Sequence, residues 1–143
     1  MMADSTVQVQ VSHAFSQSPV RVYDAWLDPT TAGKWLFATE TGEMVKVQID
    51  ARVGGRFCLT DLRDGVEVDH VGVYMELDRP ARLVFTFAVP MYSKLYTQVT
   101  IDVEPTPVGC DLTLTHQGVL AEYGERTKSG WTTILDKLAK LLD

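Results

Sequence analysis

The stretch that decides the fold is VGGRFCLTDLRDGVEVDHVGVYMELDRPARLVFTF, which runs from Val53 to Phe87. Its apolar residues alternate with polar ones in short runs, a pattern typical of β-strands. The sequence RDG at residues 63–65 predicts a hairpin turn between two of these runs, and Pro80 marks the following turn. Consecutive strands joined by tight turns pair antiparallel, so the centre of the chain predicts an antiparallel sheet.

The pair Gly54-Gly55 opens this stretch and suggests a phosphate-binding loop as an alternative. A dinucleotide-binding fingerprint spaces its glycines as G-x-G-x-x-G between a strand and a helix. Here the pair is followed by the strand that contains Phe57 and Leu59. We therefore expect the two glycines to permit a bend where the sheet curls.

The same alternation predicts strands on both sides of the central stretch. Their apolar residues are centred on Val7–Val11, Val45–Ile49, Val99–Val103 and Leu112–Leu114. After the first strand, Ser18 is a candidate cap of a helix that Pro29 ends, and Thr30 or Thr31 starts a second short helix toward Trp35.

The end of the chain, SGWTTILDKLAKLLD at residues 129–143, has a different periodicity. Its apolar residues recur at helical spacing at Trp131, Ile134, Leu135, Leu138, Leu141 and Leu142. This pattern predicts an amphipathic helix from about Glu122 to Leu142. A close approach of this helix to the sheet would explain why it contains Gly130.

The order of these elements predicts an α+β fold. We expect a curved antiparallel sheet of about six to seven strands wrapped around one long C-terminal helix, with two short helices after the first strand. The absence of a linker or repeat favours a single domain across residues 1–143.

Composition limits the classes of partner. The formal net charge of −6 argues against nucleic acid and anionic membranes as partners. The two cysteines, Cys58 and Cys110, have no zinc-type spacing. The N-terminal residues do not resemble a signal peptide, and no apolar run has the length of a membrane span. We therefore expect a cytoplasmic protein.

Five segments resemble, in the same order, the activator of heat-shock protein 90 ATPase homologue family. They are DAWLDPTTAGKWLF, DARVGGRF, HVGVYMELDRPARLVFTF, DLTLTH and GWTTILDKLAKLL, and the similarity extends from about Val9 to Leu142. This family is part of the SRPBCC or START-like (helix-grip) superfamily. The resemblance implies a cavity for a hydrophobic ligand between the sheet and the long helix, and it links the chain to chaperones and the stress response.

Strand phase supplies candidate residues for this cavity. We expect a single connected cavity with eight lining side chains: Trp35, Phe57, His70, Tyr74, Phe85, Phe87, His116 and Trp131. Apolar side chains would supply most of the affinity and the two histidines would orient the ligand. On this basis Phe85→Ala should weaken binding of an apolar probe more than His70→Ala.

His70 admits several interpretations. It is either a hydrogen-bonded residue of the cavity wall, which we favour, or a polar group that orients a ligand. A zinc site with His116 and Cys110 lacks supporting spacing, whereas a buried Glu76 facing His70 would form an acid–base pair. A second group of carboxylates is interpreted as a solvated hairpin tip: Asp61, Asp64, Glu67 and Asp69. We predict no catalytic residue, no metal ligand and no cofactor.

Three hypotheses about function follow. The first, which we favour because aromatic residues outnumber any plausible catalytic set, is a non-enzymatic carrier or sensor of a small hydrophobic molecule. The second is a chaperone-linked regulator that acts by protein–protein contact, and the third is an enzyme of the aromatic cyclase or dehydratase kind. An outward apolar face at Val71, Val73 and Met75 also suggests a homodimer.

Overall fold

The computed structural model describes residues 5–37, 42–93 and 95–143. The described residues form seven strands and three α-helices, in the order β1 (Thr6–Phe15), α1 (Pro19–Asp24), α2 (Pro29–Trp35), β2 (Glu43–Ile49), β3 (Arg56–Arg63), β4 (Val66–Asp78), β5 (Arg82–Phe87), β6 (Thr97–Thr106), β7 (Gly109–Leu120) and α3 (Gly124–Leu142). The strands make one antiparallel sheet in the order β1-β7-β6-β5-β4-β3-β2. The predicted α+β helix-grip architecture is confirmed.

Two turns explain how the central stretch folds. At the β3–β4 hairpin, Asp64 and Gly65 have φ angles of 49° and 80°, and both signs suit a type I′ turn. Before β3, a Cβ atom on Gly55 would lie 2.1 Å from the carbonyl oxygen of Asp50. Gly55 therefore permits a close turn into a strand, as predicted, and no helix follows the glycine pair.

The two short helices follow β1, and Ser18 caps α1 as predicted. The prediction that Pro29 ends the first helix was wrong, because α1 ends at Asp24 and Pro29 begins α2. Asp28 caps α2, since its Oδ2 atom accepts hydrogen bonds from the backbone and hydroxyl of Thr31 at 3.1 and 2.6 Å. Proline is favourable at the first helical position because its missing N–H has no partner there in any helix.

The long helix α3 packs its apolar stripe inward. Trp131, Leu135, Leu138 and Leu142 are buried along one face. The explanation offered for Gly130 was wrong: this residue is exposed, and a Cβ atom on it would meet nothing within 4 Å. No helix in the described part of the chain is long and apolar enough to span a membrane.

A register shift interrupts β4 between Tyr74 and Glu76. Tyr74 is 3% exposed, whereas Glu76 lies on the surface and its carboxylate is 3.4 Å from the Arg82 guanidinium. The predicted acid–base pair of Glu76 with His70 is therefore wrong, because simple alternation does not hold across the irregularity.

The outer face of β4 carries the side chains that suggested a dimer. Val71 and Val73 are partly buried and Met75 is 53% exposed. These residues contribute to a surface depression that also includes Cys58 and Tyr96. The homodimer stays a prediction.

Candidate functional site

A groove of about 1000 Å³ lies between α3 and the sheet. Aromatic rings form one part of its lining, namely Phe37, His70, Phe87, His116 and Trp131. A second depression of about 630 Å³ shares Phe87 and His116 with the groove and extends toward Leu95 and Tyr123. Together they form an open channel beside the long helix, with aromatic rings in part of its wall.

Phe37 is central to the aromatic lining. Its ring is nearly parallel to that of His70, with centroids 4.6 Å apart, and to that of Phe87, at 5.0 Å. The Trp131 ring meets Phe37 edge-on at 5.7 Å. Phe37 has a φ angle of 61°, which few residues other than glycine adopt. The backbone after α2 is thus held in an uncommon conformation that places this ring against the groove.

His116 belongs to a directional chain of hydrogen bonds. The Trp131 indole N–H, which can only donate, bonds to His116 Nδ1 at 3.0 Å. The proton of His116 is therefore on Nε2, which donates to Thr97 Oγ1 at 2.7 Å. The Thr97 hydroxyl in turn donates to the carbonyl oxygen of Phe87 at 3.0 Å. Burial lowers the pKa of His116 to about 4, so the ring is neutral near pH 7.

His70 is held in the opposite tautomer. Its Nδ1 atom lies 3.2 Å from the carbonyl oxygen of Leu59, which can only accept, so Nδ1 carries the proton. Its Nε2 atom then accepts a hydrogen bond from Arg63 Nη2 at 3.3 Å. Burial lowers the pKa of His70 to about 4, although the hydrogen bond to Leu59 acts in the opposite direction. His70 is therefore hydrogen-bonded in the wall of the groove, as the favoured interpretation expects, and its role toward a ligand stays a prediction.

These bonds constrain the chemistry of the groove. Both nitrogens of His70 and both nitrogens of His116 are engaged. Neither ring can bind a metal ion or accept a substrate proton without first losing a hydrogen bond. Cys110, the third residue of the zinc alternative, is fully buried in the core. The two histidines are therefore fixed, neutral groups of the wall, and their hydrogen bonds go to protein atoms.

The carboxylate that pairs with Arg63 is buried. Asp61 is 0% exposed, and its Oδ2 atom lies 2.6 Å from Arg63 Nε. The prediction of a solvated tip holds for Asp64, Glu67 and Asp69, which are exposed, but it was wrong for Asp61. Asp61 lies on the inner face of β3, in phase with the buried Leu59. A buried ion pair adds little net stability, so this pair is a candidate for recognition.

The eight predicted lining residues do not share one cavity. His70, Phe87, His116 and Trp131 line the groove. Phe57, Tyr74 and Phe85 instead surround a separate void of about 10 Å³, together with Trp26, Leu36, Phe37 and Leu83. An apolar void of that size is at most as large as one water molecule.

Trp35 lies outside both spaces. It is fully buried, donates its indole N–H to the carbonyl oxygen of Ala25 at 3.1 Å, and packs edge-on against Trp26 at 4.7 Å. Strand phase identified the correct face of the sheet but not the position along it, and α1 and α2 fill one end. The ligand-binding role of the four groove residues stays a prediction.

Several groove residues were missing from the predicted set. They are Phe37 and Arg63, together with three cationic residues of α3, Arg126, Lys137 and Lys140. Arg63 could have been found because it is two residues after Asp61 on the same strand. The α3 residues at 126, 130, 133, 137 and 140 recur at spacings of three and four, so they form a single stripe along the helix.

Comparisons with known proteins agree with the fold of this chain. A profile described as "Activator of Hsp90 ATPase homolog 1-like protein" matches residues 16–143. The chain belongs to this family. A crystallised protein from Chromobacterium violaceum is 31% identical, with 94% of this chain and 95% of that chain covered and a TM-score of 0.85.

Two further solved structures, which are less similar in sequence to this chain, have the same fold. An AHSA1-like protein from Aeromonas hydrophila is 22% identical, with 94% and 90% of the two chains covered and a TM-score of 0.82. A protein of unknown function from Staphylococcus aureus is 18% identical, with 94% and 92% covered and a TM-score of 0.83. No curated protein matches the chain.

Proposed function

We propose that the protein is a cytoplasmic, non-enzymatic carrier or sensor that binds a small hydrophobic molecule in the groove between α3 and the sheet. The observation that carries this proposal is the groove of about 1000 Å³ between α3 and the sheet, with packed aromatic rings along its inner wall. Drug-sized ligands occupy concave sites of this size, with apolar walls and a few fixed polar groups.

The lining favours binding of an apolar body. Phe37, Phe87 and Trp131 present ring faces and edges within 6.3 Å of one another. Covering such surface contributes about 25 cal/mol per Å² of apolar area. Phe37 stacks on Phe87 and is only 5% exposed, so the partly buried Phe87 offers an apolar ligand the more accessible ring.

The hydrogen bonds of the two histidines favour a binder over an enzyme. General acid–base catalysis needs a group whose pKa is near the working pH, and the pKa values of His70 and His116 are lowered to about 4. Their nitrogens are bonded to protein atoms. We therefore place the cyclase or dehydratase hypothesis behind the carrier.

Gly130 offers a test that removes no core group. It lines the groove, and a side chain added there would enter open space. Gly130→Phe should fill the groove and weaken binding of Nile red, a neutral apolar dye, about tenfold or more. Lys128→Phe, on an exposed position of α3 that does not line the groove, is the matched control.

The outcomes separate the hypotheses. Saturable dye binding that Gly130→Phe weakens and Lys128→Phe preserves supports the carrier. No saturable binding in folded wild-type protein, or equal binding in both variants, contradicts it. A native mass spectrum of protein purified from its own host then identifies any retained molecule.

A chaperone-linked regulator is the second candidate, and the exposed apolar side chains of one segment favour it. Between β5 and β6, four apolar side chains are more than half exposed: Met91 at 53%, Tyr92 at 70%, Leu95 at 63% and Tyr96 at 59%. Exposed apolar clusters of this kind mark contact surfaces. If this candidate is correct, the protein should raise the ATPase rate of its host's heat-shock protein 90, and Met91→Ser, at a position outside the groove lining, should reduce that effect.

A further inference from the structure

The charged part of the groove lining has the opposite sign to the whole chain. The chain has a formal net charge of −6. Among the described residues that line the groove, however, Arg63, Arg126, Lys137 and Lys140 are cationic and only Asp136 is a carboxylate. The Asp136 carboxylate is also 3.1 Å from His13 Nε2. The groove therefore favours an anion.

The cations are distributed along the groove. On α3 the rise of about 1.5 Å per residue separates the Cα atoms of Arg126 and Lys137 by roughly 16 Å. Arg63 belongs to β3, on the sheet side of the groove. Arg126 and Lys140 form no ion pair within the described ranges. Arg126 and Lys140 are exposed, whereas Arg63 has only 29% of its side chain exposed.

Arg63 is the best-positioned of these cations to bind a ligand. Its Nε atom bonds to Asp61 and one N–H of Nη2 bonds to His70. A guanidinium has five N–H donors, so these two bonds leave the Nη1 edge able to donate to a further acceptor. Asp61 offsets part of its charge, but Asp61 and His70 also fix the guanidinium in place. A fixed guanidinium is suited to a carboxylate because its donors match the carboxylate oxygens.

We propose that the ligand of this groove is an amphipathic carboxylate. Its carboxylate accepts hydrogen bonds from the free edge of Arg63, and its apolar body lies on Phe37, Phe87 and Trp131. Arg126 and Lys140 raise the local positive potential and speed capture of the anion. This inference rests on the proposed function, since it names the chemical class of the molecule that the groove binds.

The test compares carboxylates with neutral molecules of the same shape. Displacement of Nile red is measured for decanoate against 1-decanol, and for 2-naphthoate against 2-naphthalenemethanol. We expect each carboxylate to compete about tenfold better than its alcohol, the order of a charge-assisted hydrogen bond. The pair with the larger preference shows whether the apolar body is an alkyl chain or a flat ring.

Variants then test whether Arg63 is the residue that binds the carboxylate. Asp61→Asn combined with Arg63→Met removes the buried pair without leaving a lone charge, and it should abolish the carboxylate preference while Nile red still binds. Lys128→Met, which removes a cation outside the groove, should leave the preference unchanged. Arg126→Gln and Lys140→Gln, at exposed positions, should each reduce it about twofold, and this reduction should disappear at high salt.

Each outcome decides the proposal. If carboxylate and alcohol compete equally in wild-type protein that binds Nile red, the anionic ligand is wrong and the carrier proposal stands. If Nile red does not bind, both proposals fail. A preference that persists in the Asp61/Arg63 double variant overturns the assignment of Arg63. If that double variant does not fold, the comparison of carboxylate with alcohol in wild-type protein still tests the anionic ligand.

Discussion

The two ends of the space beneath α3 have similar side chains but different structures. At the closed end, Trp26, Trp35 and Phe85 pack until only a void of about 10 Å³ is left. At the open end, Phe87 and Trp131 border a groove of about 1000 Å³. Both ends lie against the same curved sheet and both are rich in aromatic side chains. Aromatic content alone therefore does not distinguish a core from a binding site.

The difference lies in what covers each end and in its polar groups. The turn after α1 supplies Trp26 to the closed end, and α2 supplies Trp35. The open end instead contains His70, His116 and Arg63, whose hydrogen bonds keep polar atoms beside the rings. The adjoining groove and these polar groups distinguish the open end from the packed closed end.

The largest expected effect is on the stability of the closed end. Trp35→Ala should lower the free energy of unfolding by about 3–5 kcal/mol, because it empties a fully buried site and removes the hydrogen bond to Ala25. Urea denaturation measures this loss. Folded Trp35→Ala protein should still bind Nile red, and a loss below about 1 kcal/mol would show that the closed end is not tightly packed.

The next largest effect is a loss of folding stability in acid, which arises from the two histidines of the open end. His70 and His116 have folded-state pKa values of about 4, below the unfolded value of 6.5. The unfolded chain therefore binds protons first as the pH falls, and stability is lost between pH 6.5 and pH 4. Each histidine should lower the free energy of unfolding by about 2–3 kcal/mol between pH 7 and pH 4.5.

Urea titrations at the two pH values check this loss. His70→Gln should reduce the difference between them by about half, because one of the two buried histidines no longer titrates. Asp24 and Asp28, whose pKa values lie below 3.8, lose their stabilising effect only at lower pH. An unchanged difference in His70→Gln would mean that His70 is protonated as easily in the folded state as in the unfolded state.

A matched pair of phenylalanines compares the two ends directly. The sequence pointed to Phe85 as the residue that supports binding, but Phe85 lies at the closed end and Phe87 lines the groove. Phe87→Leu should weaken Nile red binding severalfold, equivalent to about 1 kcal/mol. Phe85→Leu should reduce stability and leave dye affinity unchanged within about twofold. The reverse order would place the ligand at the closed end.

The smallest effect is a gain in stability at Gly130. Gly130→Ala should raise the free energy of unfolding by up to about 1 kcal/mol, because alanine favours the helix and its methyl group meets no neighbour. Thermal denaturation measures the gain. A loss of stability would show that the helix and sheet approach each other here more closely than this geometry allows.

The sequence predicted the fold more completely than the site. The tight turns at residues 63–65 and at Gly54-Gly55 mark where strands begin and end. The apolar stripe of α3 marks the final helix. Alternation correctly placed His70 and His116 on the face toward the helix. It failed at Glu76, because one irregularity in β4 reverses the face of every residue that follows.

The site depends on tertiary contacts that cannot be inferred from the periodicity of the sequence. The position of a residue along its strand decides whether it packs at the closed end, as Phe85 does against Trp26, or lines the groove, as Phe87 does. Phe37 enters the groove through an uncommon backbone conformation after α2. Asp61 was assigned to solvent because a carboxylate beside a hairpin is usually exposed, whereas its burial depends on the partner Arg63.

The most direct test of the central claim uses the indole N–H signals of the three tryptophans in a ¹⁵N NMR titration with Nile red. Trp131 lines the groove, whereas Trp35 is buried at the closed end. We predict that the Trp131 signal shifts the most and saturates, and that the Trp35 signal does not shift. Trp26, whose ring centroid is 6.2 Å from that of Trp131, should shift less than Trp131. A Trp35 shift as large as that of Trp131, or saturable dye binding without a shift at Trp131, would contradict it.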